Sequence, residues 1–305
     1  MDPAVVALDI GGTAIKAALL DRDLTELAVL RQPTARALGG HTTAAAVAEQ
    51  VVAITAELTG GRAPAGVGVV VPGIVDGGVA HYSSNLGWRD VPFAAILAER
   101  LGVPVAFDHD VRAGGLAEAT AGAARGVVNC AFLPVGTGIA VAIMIGGKPY
   151  AAGGYAGEIG HADVGHGLPC PCGAVGCLEA VASASAIGRR YAERTGRPDE
   201  GARVVVDAAR AGDPDANAIF DEAVDALARG LRLLTTVVAP EVVVLGGGLF
   251  GAGEFLVEPV RRALAGYLTF QRPPELRVAE LGDRAGCLGA GLLAWQVTDA
   301  ARLGA

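Results

Sequence analysis

The chain has 305 residues, a formal net charge of −8 and no basic run, whereas binding many phosphates along a nucleic acid needs clustered Lys and Arg, so no nucleic-acid partner is expected. That length exceeds one typical core and predicts two lobes with room for a cleft. The first ten residues lack a basic n-region and a cleavage site, and the apolar stretch 127–145 is broken by Asn129, Pro134, Gly136, Thr137 and Gly138, so the expectation is a cytoplasmic protein without signal peptide or membrane helix.

In chain order, residues 4–10 form a short apolar β-run, Gly11-Gly12-Thr13 a turn, and residues 15–20 a second strand, which together predict a hairpin with a glycine tip. An Ala-rich helix is expected over 42–58, a buried strand over 66–71 ending at Pro72-Gly73, a helix over 93–101 and a strand over 103–107. Asp108-His109-Asp110 follows, and residues 111–121 read as helix, so either Asp108 or Asp110 could serve as its N-cap or as a proton acceptor. Alternation of strands and helices indicates an α/β sheet.

Residues 127–145 read as two buried strands joined by a turn. Leu133 to Ala140 echoes Leu8 to Ile15: strand, glycine turn, strand. An echo at about half the chain length suggests two related lobes. Beyond Glu179 the pattern is mainly helical, with amphipathic stretches at 183–194 and 216–238. A strand over 241–245 then leads into Gly246-Gly247-Gly248, and an apolar Gly/Ala-rich helix closes the pattern over 285–297.

Several of these residues suit particular chemistry. The first turn offers backbone N–H groups unobstructed by side chains at Gly11 and Gly12, the Thr13 hydroxyl and the Lys16 charge, a combination that suits a phosphate. Alone it is a weak motif, but its repetition at Gly136-Thr137-Gly138 would let two turns grip one nucleotide. Gly247 and Gly248, after a buried strand, either accept the adenosine or make a tight turn. His161, Cys170, Cys172 and Cys177 provide four N/S ligands at short spacing, which describes a closed, structural zinc site, with His166 as a competing imidazole. Cys130 and Cys287 sit in apolar contexts and read as buried thiols. Glu158 and Glu179 flank the metal loop.

Together these residues resemble the ROK family of bacterial sugar kinases and sugar-responsive repressors, over nearly the whole chain. Asp9 to Lys16 looks like the family's first phosphate motif, Gly68 to Gly73 its Gly-x-x-x-Pro-Gly element, and Gly136-Thr137-Gly138 its second phosphate motif. Gly157-Glu158-Ile159-Gly160-His161 with Cys170-x-Cys172-Gly173-x-x-Gly176-Cys177-Leu178-Glu179 looks like its signature, which selects His161 over His166 as the zinc ligand.

The resemblance implies a duplicated, actin-like or hexokinase-type (ribonuclease H-like) α/β fold with two lobes around a cleft. The expected lobes are 1–110, completed by a C-terminal helix at about 290–305, and 111–289, which carries the zinc loop. It implies ATP, Mg²⁺ and structural Zn²⁺ as cofactors and a hexose, glucose first, as the substrate phosphorylated on its primary hydroxyl. Asp110 would be the general base, Asn85, His109, Glu158, His161 and Glu179 would contact the sugar, and Asp9 would organise Mg²⁺ and the phosphates. A homo-oligomer, dimer or tetramer, is the family's habit.

One position departs from the pattern. The family usually has Asn immediately before the catalytic Asp, where this chain has His109, which opens N-acetylglucosamine or N-acetylmannosamine as alternative acceptors. A non-catalytic sugar sensor is the alternative of another class. The repressors carry a helix-turn-helix ahead of this region, and the phosphate turn here begins at Asp9, so DNA binding is not expected.

Overall fold

The structure, a computed structural model, describes residues 3–35 and 42–303. The described residues divide into two compact units: one holds the chain up to Ala117, Pro149–Ala156 and the chain from Asp283, and the other holds Glu118–Lys148 and Gly157–Gly282. The lobe boundary expected at Asp110 falls instead after Ala117, and a short later segment returns to the first unit. Residues 304 and 305 of the expected C-terminal helix lie outside the described residues.

The first unit opens with β1 (Val5–Ile10), β2 (Ala14–Leu20) and β3 (Glu26–Pro33), then α1 (Ala44–Thr59), β4 (Val67–Val71), β5 (Ile74–Asp76), β6 (Val79–Ser83), β7 (Trp88–Val91), α2 (Phe93–Leu101) and β8 (Val105–His109). Its main sheet runs β3-β2-β1-β4-β8, with β1 antiparallel to β2 and parallel to β4, and β4 parallel to β8. Covered on both faces, the inner strands read as continuous apolar runs: all five residues of β4 are buried. Helix α1 starts where the Thr43 hydroxyl accepts the Ala46 N–H and stops at Gly60, whose φ of 61° is left-handed. Strands β5, β6 and β7 form a separate small antiparallel sheet, not expected from the sequence.

Helix α3 (Asp110–Ala121) leads to the second unit, which holds β9 (Cys130–Pro134), β10 (Ala142–Ile145), β11 (Lys148–Pro149), α4 (Leu178–Ala182), α5 (Ala184–Thr195), α6 (Ala202–Arg210), α7 (Pro214–Val238), β12 (Val242–Gly246), α8 (Glu254–Tyr267) and β13 (Glu275–Val278). Its sheet runs β11-β10-β9-β12-β13. As in the first unit, the central strand (β9) is antiparallel to the strand after the glycine turn and parallel to the next two in the order β12-β13. The echo in the sequence is thus an echo of topology. Asp213 caps α7 by accepting the Asp215 and Ala216 N–H groups, with Pro214 in the first turn, where its missing N–H costs nothing. None of the helices among the described residues is long and apolar enough to cross a membrane.

The last element, α9 (Ala285–Leu303), returns to the first unit and packs on β1, β4 and β8. Its approach is close enough that a Cβ added to Gly68 would stand 1.9 Å from the Ala290 carbonyl oxygen, and one on Gly289 would stand 2.1 Å from that of Ala113. Gly68→Ala should therefore cost about 1–3 kcal/mol by overpacking. Thermal melts should show Gly68→Ala well below the parent and Gly251→Ala, whose added Cβ would meet nothing within 4 Å, near it.

Candidate functional site

The first unit's candidate residues gather at the ends of β1 and β8. Register pairs Asp9 with Lys16 across the hairpin, and the Lys16 Nζ lies 3.8 Å from Asp9 Oδ2. Lys16 also donates to the Asp283 carbonyl at 2.9 Å, a partner 267 residues away that no local pattern predicts. Gly11 closes the turn by donating to the Ala14 carbonyl, and the Thr13 carbonyl accepts the Thr34 N–H. A Cβ on Gly12 would stand 2.9 Å from the Asn85 carbonyl oxygen, so Asn85, exposed on the turn after β6, lies directly against the first glycine turn.

Asp9 is pushed up to about 6, first by burial and then by the charge of Asp110, with Lys16 opposing. A divalent cation suits such a carboxylate, because its charge offsets both burial and the neighbouring acid. The two acids at the junction of β8 and α3 have different partners. Asp108 Oδ1 accepts the His109 N–H and is ion-paired with Arg112, a buried guanidinium that also donates to the Val75 carbonyl. Asp110 opens α3, its Oδ1 accepting the Val111 N–H at 2.7 Å, with His109 Nε2 3.2 Å from the same oxygen. Asp108 is thus tied to Arg112, whereas among the described residues Asp110 is engaged through Oδ1. The i, i+4 pairing of Asp108 with Arg112 was the missed signal.

In the second unit, Gly136, Thr137 and Gly138 turn between β9 and β10, with the Gly136 N–H donating to the Gly138 carbonyl. Gly247, at a φ of 80°, backs onto Val135, where a Cβ would stand 2.4 Å from the carbonyl oxygen. Leu249 donates its N–H to that same carbonyl. Gly247 and Gly248 are therefore brought beside the second turn. On its other side Glu179 Oε2 accepts the Ile139 N–H at 2.8 Å.

His161, Cys170, Cys172 and Cys177 form a cluster whose four ligand atoms lie within 4.8 Å of one another. Cys172 Sγ is 3.7 Å from Cys177 Sγ, and Cys170 Sγ is 3.9 Å from His161 Nδ1. A tetrahedron with Zn–S of about 2.3 Å and Zn–N of about 2.0 Å has edges of about 3.8 Å between sulfurs and about 3.5 Å between sulfur and nitrogen, so the sulfur pair matches and the sulfur–nitrogen pair is a few tenths of an ångström wider. Burial first, then the neighbouring sulfurs, push the Cys177 thiol up to about 12, a proton that a bound metal would displace. The donor set, one imidazole and three thiols, fits zinc. His166 points elsewhere, its Nε2 lying 3.4 Å from Asp225 Oδ2 on α7. Glu158 is exposed one turn before His161, which donates its N–H to the Glu158 carbonyl.

Residues 5–297 match the model described as "ROK family". A glucokinase of Halalkalibacterium halodurans is 33% identical over 95% of this chain and 94% of its own. An N-acetylgalactosamine kinase of a Shewanella species is 34% identical over 94% of this chain and 95% of its own. The crystal structure of a ROK family glucokinase from Streptomyces griseus in complex with glucose and AMPPNP is 30% identical, with a TM-score of 0.82 over 96% of this chain and 99% of that one.

The raised Asp9 has a consequence for stability. Its folded value of about 6 exceeds the unfolded 3.8, so the folded state binds more protons between those values and loses stability as pH rises through that window. Above it the ionised Asp9 is a standing cost. Asp9→Asn should then be the more stable protein at pH 7.5 by about 3 kcal/mol and equal to the parent near pH 3, below the unfolded value, as read from urea midpoints without added Mg²⁺. An Asp9→Asn melt that tracks the parent at both pH values would contradict the raised value.

Proposed function

The chain belongs to the ROK family, and on that footing we propose that it is a sugar kinase that transfers the γ-phosphoryl group of ATP to the primary hydroxyl of a hexose, glucose first. The observation that supports this most directly is the duplicated glycine turn, after the central strand of each of two sheets with the same strand order. Gly11 and Gly136 donate their N–H groups within their own turns, and the Thr13, Thr137 and Gly138 amides of such turns suit a polyphosphate.

Asp110 would act as general base. Its Oδ1 is engaged by Val111, so Oδ2 would take the proton of the sugar hydroxyl as the sugar oxygen bonds to the γ-phosphorus and the bond from that phosphorus to the β,γ-bridging oxygen breaks, releasing ADP. Asn85, His109, Glu158, His161 and Glu179 would bind sugar hydroxyls and hold the acceptor in line. Asp9 would hold Mg²⁺, which supplies charge neutralisation for the phosphates. His161, Cys170, Cys172 and Cys177 would hold Zn²⁺, which supplies rigidity rather than catalysis, since all four positions are filled.

A second reading keeps phosphoryl transfer and changes the acceptor to an N-acetylhexosamine. It is favoured by His109, whose ring stands where the family pattern has Asn, and by the similarity to an N-acetylgalactosamine kinase. The deciding experiment is a coupled ADP-release assay with Mg-ATP against glucose, mannose, fructose, allose, N-acetylglucosamine, N-acetylmannosamine and N-acetylgalactosamine. Turnover should concentrate on one of them, and no turnover on any would overturn the reading. Asp110→Asn should lower kcat about a hundredfold or more while AMPPNP still binds. His109→Asn should shift the ratio of kcat/KM values among the sugars more than it changes the best kcat.

Replacing Cys172 by Ser should lower bound zinc, measured by plasma emission, and raise the sugar KM. Unchanged metal content in that variant would show that the cluster is not the metal site.

A further inference from the structure

We infer that Glu179 is a positioning residue for the nucleotide-phosphate turn, so that the metal site supports nucleotide affinity even when no sugar is present. This rests on the reading of Gly136-Thr137-Gly138 as a phosphate turn. The Glu179 carboxylate lies on the turn itself: Oε2 accepts the Ile139 N–H at 2.8 Å, and a Cβ on Gly138 would stand 2.6 Å from that oxygen. A hydrogen bond to a carboxylate is among the stronger ones a backbone amide makes. An amide committed to Glu179 is turned away from any anion, which fixes how the remaining amides of the turn face. Releasing it would let the turn reorient.

Glu179 is in turn fixed by the metal loop. It lies in the first turn of α4, whose N-cap is Cys177. The Leu178 N–H donates to the Ala162 carbonyl at 2.9 Å, and Cys177 Sγ lies 3.5 Å from the His161 carbonyl oxygen. The segment before His161 rests on the same stretch of backbone. A Cβ on Gly160 would stand 2.1 Å from the Ile139 carbonyl oxygen and one on Gly157 2.2 Å from that of Val141, and the Val141 N–H donates to the Gly157 carbonyl at 2.8 Å. Beyond α4, Ala184 donates its N–H to the Gly136 carbonyl at 2.8 Å. His161 and Cys177 thus each lie within two residues of a direct contact with the turn or the strand it enters.

Charge alone predicts the opposite effect, since a carboxylate repels a polyphosphate and its removal would tighten binding. The experiment is calorimetric titration of the full-length protein with Mg-AMPPNP and no sugar. Glu179→Ala should weaken binding about tenfold, whereas Glu179→Gln, whose side-chain carbonyl still accepts the Ile139 N–H, should stay within about threefold of the parent. Cys172→Ser should weaken binding in the same direction, and combining it with Glu179→Ala should cost less than the sum. Thermal melts establish that each variant is folded; if Cys172→Ser is not, the Ala and Gln pair decides. Parent-like or tighter binding by Glu179→Ala, or equal weakening by Ala and Gln, would overturn the inference alone. A parent that binds no AMPPNP would overturn the kinase reading and this inference together.

Discussion

The backbone from Val135 to Val141 is the reference against which the second unit's candidate residues are set. Its amides and carbonyls take contacts from Gly246-Gly247 on one side and from Gly157, Gly160 and Glu179 on the other. Several of these approaches are possible only because the approaching residue has no side chain. Glycine here serves proximity, and the entropy it costs on folding is offset by backbone groups that meet directly. In the first unit Asp9 and Lys16 are set by hairpin register, and α9 is admitted close to the sheet by Gly68 and Gly289.

Duplication explains why two sheets of unlike sequence end in similar turns. In each, the central strand is paired antiparallel on one side and parallel on the other. The turn after it therefore always opens at the carboxyl end of a parallel pair, where α/β sheets bind ligands. What differs is the surroundings: the first turn has an acid and a lysine on its flanks, the second a glutamate two residues from a cysteine of the Cys/His cluster.

Much of this was legible in the sequence where a residue type has few alternative uses. Three cysteines within eight residues and glycine turns after apolar strands each specify local geometry without help from distant chain. Strand β3 was not legible, because it is an edge strand with Leu27 and Val29 facing outward, which removes the polar alternation that marks a half-buried strand. Strands β5 to β7 were missed because they are short and interrupted by turns. Among the site residues, the local pattern left Asp108 and Asp110 equivalent, and only the family resemblance pointed to Asp110. The pairing of Asp108 with Arg112 separates them, and that depends on where the strand ends and the helix begins, a boundary that sequence pattern places only within a few residues. The contact of Lys16 with Asp283 is a product of tertiary folding alone.

The route of the chain also orders events during synthesis. Strands β1, β4 and β8 leave the ribosome early, yet the helix that covers them, α9, follows the whole second unit. Until it arrives, one apolar face of the first sheet is bare, so the nascent chain carries an adhesive surface throughout translation of about half its length. A pause or premature stop before residue 285 would leave that surface permanently open, and chaperone capture or aggregation of such fragments is the cost of closing an N-terminal core with a C-terminal helix.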